Sequence, residues 1–334
     1  MVYGWILGAV AGFLFFVLLP RLLVRYQGLD RTNFERTLLL GQRMTPREED
    51  IPVGPSNAPK RKAPEMCESP DCVRCSRNQA TMEEAMERFL KHFWGEEGLE
   101  RIAHSLGKSR DSDGGGYVLK VENLPTAPVW RDVQTLEQNF RADVELLEEK
   151  AEEILEDFLN VCDSPDGWQF NCATGDVDGG RWSVFSLLNQ GKWIEANCQR
   201  CPTLAALLKT QMKCLMEGCL FGNAFFSVLP AGASIGEHTG PTNARSRCHL
   251  ALHVPEASKA DCYLTVANER VDWTPGACLI FDDSFKHSVT FDWLAKDNEP
   301  TEEDERVVLL VDLWHPNLTK REKECIKIVY GCEK

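Results

Sequence analysis

The residues that can do chemistry together lie in the C-terminal half. His238 sits in E-H-T-G-P-T-N, a Gly/Pro-punctuated turn that leads into a strand, and His287 in F-D-D-S-F-K-H, at a strand start. Two imidazoles set side by side by neighbouring strands form a site for a divalent metal, although scattered histidines are ordinary in any β protein. Between them runs Arg247-Cys248-His249-Leu250-Ala251-Leu252-His253-Val254. Its two-residue period puts Cys248, Leu250, Leu252 and Val254 on one face and Arg247, His249, Ala251 and His253 on the other. If the polar face meets solvent, His249 is a surface histidine. If it lines a barrel, the cationic face needs an anionic ligand. Arg306 opens R-V-V-L-L-V-D-L-W-H-P and can point a second guanidinium, shaped to grip a carboxylate, at the same lumen.

These residues need strands to hold them. After Asp176, runs rich in Val, Phe, Thr and Trp alternate with Gly, Pro and Asn: Trp182–Leu188, Ala224–Leu229, Arg247–Val254, Asp261–Ala267, Ala277–Asp282, His287–Trp293 and Arg306–Trp314. That grammar predicts a mainly β fold, a jelly roll or double-stranded β-helix, interrupted by one helix from Pro202 to about Met216. Apolar residues at Leu136, Phe140, Val144, Leu147, Ala151, Ile154 and Phe158 predict an amphipathic helix packed outside the barrel. An earlier one carries Met82, Ala85, Phe89 and Phe93, with Thr81 and Glu84 as its capping box. The helices share no fixed period, so no repeat array is expected.

The N-terminal part reads differently. Residues 2–20 carry no charge and are closed by Arg21 and Arg25, which predicts an uncleaved transmembrane anchor rather than a signal peptide. Five prolines between positions 46 and 64 make a semi-extended spacer. Cys67, Cys72 and Cys75 then form a compact cluster. Cys72-x-x-Cys75 and a second pair, Cys198-x-x-Cys201, are open to structural zinc, disulfides or free thiols. Arg21, Arg25, Arg31 and Arg36 all follow the span and favour a cytosolic domain. Asn317-Leu318-Thr319 is a glycosylation sequon usable only in a lumen. With 37 Lys+Arg against 51 Asp+Glu the net charge is −14, which excludes an electrostatic footprint for nucleic acid. At 43% hydrophobic and 26% charged, wholesale disorder is excluded too.

Taken in order, H-T-G-P-T-N, R-C-H-L-A-L, L-I-F-D-D-S-F-K-H and R-V-V-L-L-V-D-L-W-H-P resemble the aspartyl/asparaginyl β-hydroxylase family of iron(II)- and 2-oxoglutarate-dependent oxygenases. The cysteine cluster and anchor make the chain most similar to the animal aspartate β-hydroxylase domain-containing group. The resemblance implies a cupin-like double-stranded β-helix over 124–334, after a membrane anchor with its flank (1–27), a Pro-rich linker (28–66) and a cysteine and helical segment (67–123). It implies His238 and His287 as iron ligands, and Trp182, Ser227, Arg247, His249 and Arg306 as contacts to 2-oxoglutarate. Gly240 stands where the third, carboxylate ligand of most such oxygenases would be, so two histidines alone hold the metal, unless Asp282 or Asp283 restores a carboxylate; these two read better as a turn before a strand. The implied reaction consumes O2 and 2-oxoglutarate, releases succinate and CO2, and hydroxylates the β-carbon of Asp or Asn in a protein. A lipid substrate for the same chemistry and a non-catalytic barrel are the competing readings. The family also implies a type II anchor with a domain in the endoplasmic reticulum lumen, against the arginine count; that is the topology expected here.

Overall fold

The computed structural model describes residues 79–107, 118–132, 136–170, 177–178, 182–295, 297 and 304–331. The expected anchor, the Pro-rich spacer and Cys67, Cys72 and Cys75 lie outside them. Among the described residues no helix is long and apolar enough to cross a membrane.

Two antiparallel sheets face each other. The larger has seven strands. β1 (Trp168–Phe170), β3 (Ser183–Asn189), β5 (Ala224–Leu229), β12 (Arg306–Trp314), β7 (Arg245–His253) and β10 (Cys278–Phe281) lie in that order, and β4 (Lys192–Trp193) pairs with β3. The smaller sheet runs β2 (Val177–Asp178), β6 (Ser234–His238), β11 (His287–Trp293), β8 (Ala260–Val266) and β9 (Glu269–Val271).

β5, β7 and β12 are buried along their whole length, because both faces of the larger sheet are covered. Phe226, Val228, Cys248, Leu250, Leu252, Val307, Leu309, Val311 and Leu313 point outward into a helix layer. That layer comprises α3 (Gln138–Glu149), α4 (Ala151–Cys162), α5 (Glu195–Arg200) and α6 (Pro202–Ala206). The alternate residues, Phe225, Ala251, Val308 and Leu310, face the smaller sheet and meet Leu264, Val266, Val289 and Phe291. Helices on the outer face therefore turn Ser227, Arg247, His249 and Arg306 inward.

The expected helix from Leu136 to Phe158 is two helices, broken at Lys150. Its stripe is still the buried one, with Phe140, Leu147, Ile154 and Phe158 at 0% exposure. Two inward carboxylates escape that pattern. Asp143 accepts the N–H groups of Lys213 and Cys214, and Asp157 accepts that of Leu204, so both satisfy backbone donors of the chain crossing above. The helix expected to reach Met216 ends earlier: α6 gives way to a π turn at Leu207–Gln211, and Met212 is extended.

A second apolar cluster joins α1 (Gln79–Phe93) and α2 (Glu100–Gly107) to the C-terminal α7 (Lys320–Val329). Ala85, Phe89 and Phe93 pack against Ile326, Val329 and their neighbours. Thr81 lies inside α1 rather than at its N-cap. The capping box of this cluster is instead Thr319 with Glu322 at the start of α7.

Candidate active site

β6 and β11 pair with His238 opposite His287, just before a bulge shifts the register. The two imidazole centroids are 4.1 Å apart. Nδ1 of His238 lies 2.9 Å from the Gly236 carbonyl, and Nδ1 of His287 lies 2.8 Å from that of Phe285. A carbonyl only accepts, so each Nδ1 carries the proton and each Nε2 keeps a free lone pair. Burial, then the neighbouring His287, pushes His238 down to about 3; burial also lowers His287. Both rings are held neutral, the form that ligates a metal. Among the described residues no third His, Cys, Asp or Glu joins them to make a metal-binding group.

Gly240 explains the missing carboxylate. Its N–H donates to the Asp283 carbonyl at 2.6 Å, and a Cβ at 240 would collide with the Asp283 carboxylate. That carboxylate is itself engaged. Arg245 donates to both its oxygens, through Nε to Oδ1 at 3.0 Å and through Nη2 to Oδ2, while Arg247 Nη1 lies 3.1 Å from Oδ2. Asp312 closes the group: Arg247 Nε reaches its Oδ1 at 2.9 Å, and Arg245 Nη1 reaches its Oδ2 at 3.2 Å. Two buried cations thus balance two buried anions. Burial opposes ionisation of Asp283, but Arg245 and Arg247 outweigh it and hold the carboxyl below its usual range. Neighbouring Asp282 is pushed up to about 6 by burial, and its Oδ1 accepts the Ser284 N–H.

Arg306 is different. It is 1% exposed, and no carboxylate among the described residues pairs with it. Burial lowers it to about 10. Its Nη2 donates to Ser227 Oγ at 3.1 Å, and Trp182 Nε1 donates to the same oxygen at 2.8 Å. With both lone pairs of Ser227 occupied, its hydroxyl proton is left to donate elsewhere. Arg306 Nε and both ring nitrogens of His249 are buried without partners. Burial, reinforced by Arg306 and Arg247, keeps His249 neutral. Among the described residues this site offers unpartnered donors and a positive charge but no carboxylate to meet them, the chemistry of an anion site. A row of rings links it to the histidine pair: His249 meets Phe281 edge-on at 5.0 Å, and Phe281 meets His287 at 5.5 Å.

The residues expected at the site therefore gather in one lumen but divide by role. His249, Ser227 and Arg306 keep free donors. Most of the Arg247 fork is held by Asp312 and Asp283, and the one Trp182 donor is spent on Ser227. Arg245 and Asp312 went unseen in the sequence. A parity signal existed for Asp312, which shares the inward face of β12 with Arg306. Cys198 and Cys201 lie away from this lumen as free buried thiols. Their Sγ atoms reach different carbonyls, of Leu187 and Asp157, each at 3.7 Å, and burial pushes Cys201 up to about 12. Cys198 and Cys201 are therefore not bonded to each other, and the zinc reading also needs Cys72 and Cys75, which lie outside the described residues.

Neutral paired histidines above a buried, unpaired arginine fit iron(II) and 2-oxoglutarate, and the chain is of the 2-oxoglutarate-dependent dioxygenase class. The Aspartyl/Asparaginyl beta-hydroxylase family model matches residues 148–316, and the chain belongs to that family. Human aspartate beta-hydroxylase domain-containing protein 2 is 36% identical over 282 residues, spanning 79% of this chain and 70% of that protein. The human domain-containing protein 1 is 39% identical over 223 residues, 64% of this chain and 51% of that one. Mouse aspartyl/asparaginyl beta-hydroxylase is 32% identical over 209 residues, 63% of this chain but 26% of that protein.

Proposed function

We propose that this chain is a membrane-anchored iron(II)- and 2-oxoglutarate-dependent dioxygenase that hydroxylates the β-carbon of Asp or Asn in a protein, on a double-stranded β-helix scaffold. The observation that carries the reading is Arg306, a buried charge with no carboxylate partner among the described residues, in the same lumen as two neutral histidines with free Nε2 atoms. In this reading the two Nε2 atoms hold the iron. Arg306 and the Ser227 hydroxyl bind the distal carboxylate of 2-oxoglutarate, and His249 supplies a neutral donor beside them. Arg247 and Trp182 act one step back, by fixing the Asp283–Asp312 group and Ser227. Bound iron with 2-oxoglutarate supplies the oxidising chemistry with O2; the protein orients the reactants and excludes water.

The test is a coupled assay. Purified chain with iron and 2-oxoglutarate is supplied with Asp- or Asn-containing peptides, while succinate and peptide mass are followed. One added oxygen on the peptide, matched to succinate, supports the reading. Succinate stimulated by a lipid and by no peptide would move the substrate class. No 2-oxoglutarate turnover with any of them would favour a binding module.

The anchor at 2–20 and the luminal topology belong to the same proposal. They are supported by the uncharged run and by the Asn317 sequon, which is exposed just before α7. A glycosidase-sensitive gel shift that disappears in Asn317→Gln would support the lumen. Complete digestion of the domain in sealed microsomes would refute it.

A further inference from the structure

Trp273 lies between β9 and β10, in V-D-W-T-P-G, a stretch that reads as a plain turn. It is nevertheless 5% exposed. The Arg306 Cζ stands 5.1 Å from its ring centroid, and its ring stacks on His249 at 6.1 Å with the planes 18° apart. Its Nε1 is buried with no hydrogen-bond partner. Four unpartnered buried nitrogens thus belong to three touching side chains: Trp273 Nε1, Arg306 Nε and the two of His249. Buried indole N–H groups normally find an acceptor. Trp182 has found one in Ser227, 2.8 Å away. Trp273 has not.

We propose that Trp273 is a positioning residue of the co-substrate site. Its ring face holds the Arg306 guanidinium in place, and its N–H donates to the distal carboxylate of a five-carbon 2-oxo dicarboxylate. The proposal rests on the 2-oxoglutarate reading above and adds a residue to it. The cation–π contact restrains the planar fork without consuming any of its donors, so Arg306 keeps them for the ligand. A carboxylate has about four acceptor sites, enough to take Trp273, Ser227 and Arg306 together. If Trp273 were only packing, an apolar ring would fill the same space and leave no orphan donor.

The experiment is calorimetry on the full chain in detergent, loaded with manganese(II). Wild type, Trp273→Phe and Trp273→Leu are each titrated with 2-oxoglutarate and with oxalate, which can chelate a metal but has no distal carboxylate. Trp273→Phe keeps a π face and loses the N–H; its 2-oxoglutarate affinity should fall about tenfold or more. Trp273→Leu loses both and should fall further. Affinity for oxalate and for manganese(II) should stay at the wild-type value in both variants. Unchanged 2-oxoglutarate affinity in Trp273→Phe would overturn the donor assignment. An equal loss for oxalate and 2-oxoglutarate would mean a general structural role and also overturn it. If Trp273→Leu does not fold, Trp273→Phe decides. No binding of 2-oxoglutarate to wild type would instead remove the co-substrate reading, and this proposal with it.

Discussion

Asp283 fills the space that a side chain at Gly240 would need: a Cβ there would lie 2.5 Å from Asp283 Cγ and 2.7 Å from Oδ1. The glycine at the third-ligand position and the arginine-paired aspartate are therefore one structural choice. A carboxylate two residues after His238 has no room while Asp283 holds Arg245 and Arg247.

Gly240→Asp should accordingly fail to build a better metal site. It forces Asp283 away from its guanidinium partners and sets two carboxylates together, so stability should fall by about 3 kcal/mol or more. Urea denaturation and manganese(II) titration check this. Tighter metal binding at unchanged stability would show that Asp283 yields freely.

Arg306→Lys keeps a positive charge but loses the planar fork. Its 2-oxoglutarate affinity should drop at least tenfold, because a single ammonium cannot bond Ser227 and grip a carboxylate with the same geometry. Calorimetry on the metal-loaded protein reads the effect directly. Wild-type affinity would place the anion elsewhere.

His315 gives a pH dependence remote from the metal pair. It is 0% exposed; its Nε2–H donates to the Pro125 carbonyl at 2.9 Å, and its Nδ1 accepts the Asn317 N–H at 3.1 Å. A second ring proton would point at that N–H. Burial lowers the group to about 4, against 6.5 in the open chain. The native state then binds fewer protons than the unfolded one across that window. The contribution is complete above pH 6.5 and is lost as pH falls towards 4, by up to about 3 kcal/mol. Thermal midpoints between pH 7 and 4 should fall less steeply in His315→Phe than in wild type, even from a lower start. Parallel slopes would contradict it.

The β8–β9 hairpin turns on Ala267 and Asn268, both left-handed, at φ 49° and 67°. Asparagine tolerates that region; alanine does not. Ala267→Gly should raise stability by roughly 0.5–1 kcal/mol after glycine's own entropy loss. A lower denaturation midpoint would mean that the methyl group makes contacts worth more than the strain.

Much of this was legible in sequence, and the failures have a common cause. β5, β11 and β12 begin and end where the alternation of apolar residues says, because both neighbours of each strand enforce the period. β7 starts two residues earlier than expected, at Arg245. Asn-Ala-Arg-Ser reads as a turn, and only Asp283 and Asp312, far along the chain, make it a buried strand. Trp273 was missed for a similar reason: its value comes from Arg306 and His249, not from its own turn. The short pairings β1, β2, β4, β6 and β9 were also passed over. β6 matters most, since His238 was placed in a turn, whereas it ends the strand that sets it opposite His287. Periodicity reports the faces of long elements; it is silent on contacts between residues distant in sequence.

In the proposed function His238, His287 and Arg306 are parts of one site that consumes 2-oxoglutarate. Succinate release from the iron-loaded chain in air, measured for wild type and for His238→Ala, tests it most directly. Iron-dependent succinate is expected from wild type and none from His238→Ala, whose circular dichroism and melting cooperativity remain those of a folded domain. Equal succinate from both proteins would contradict it.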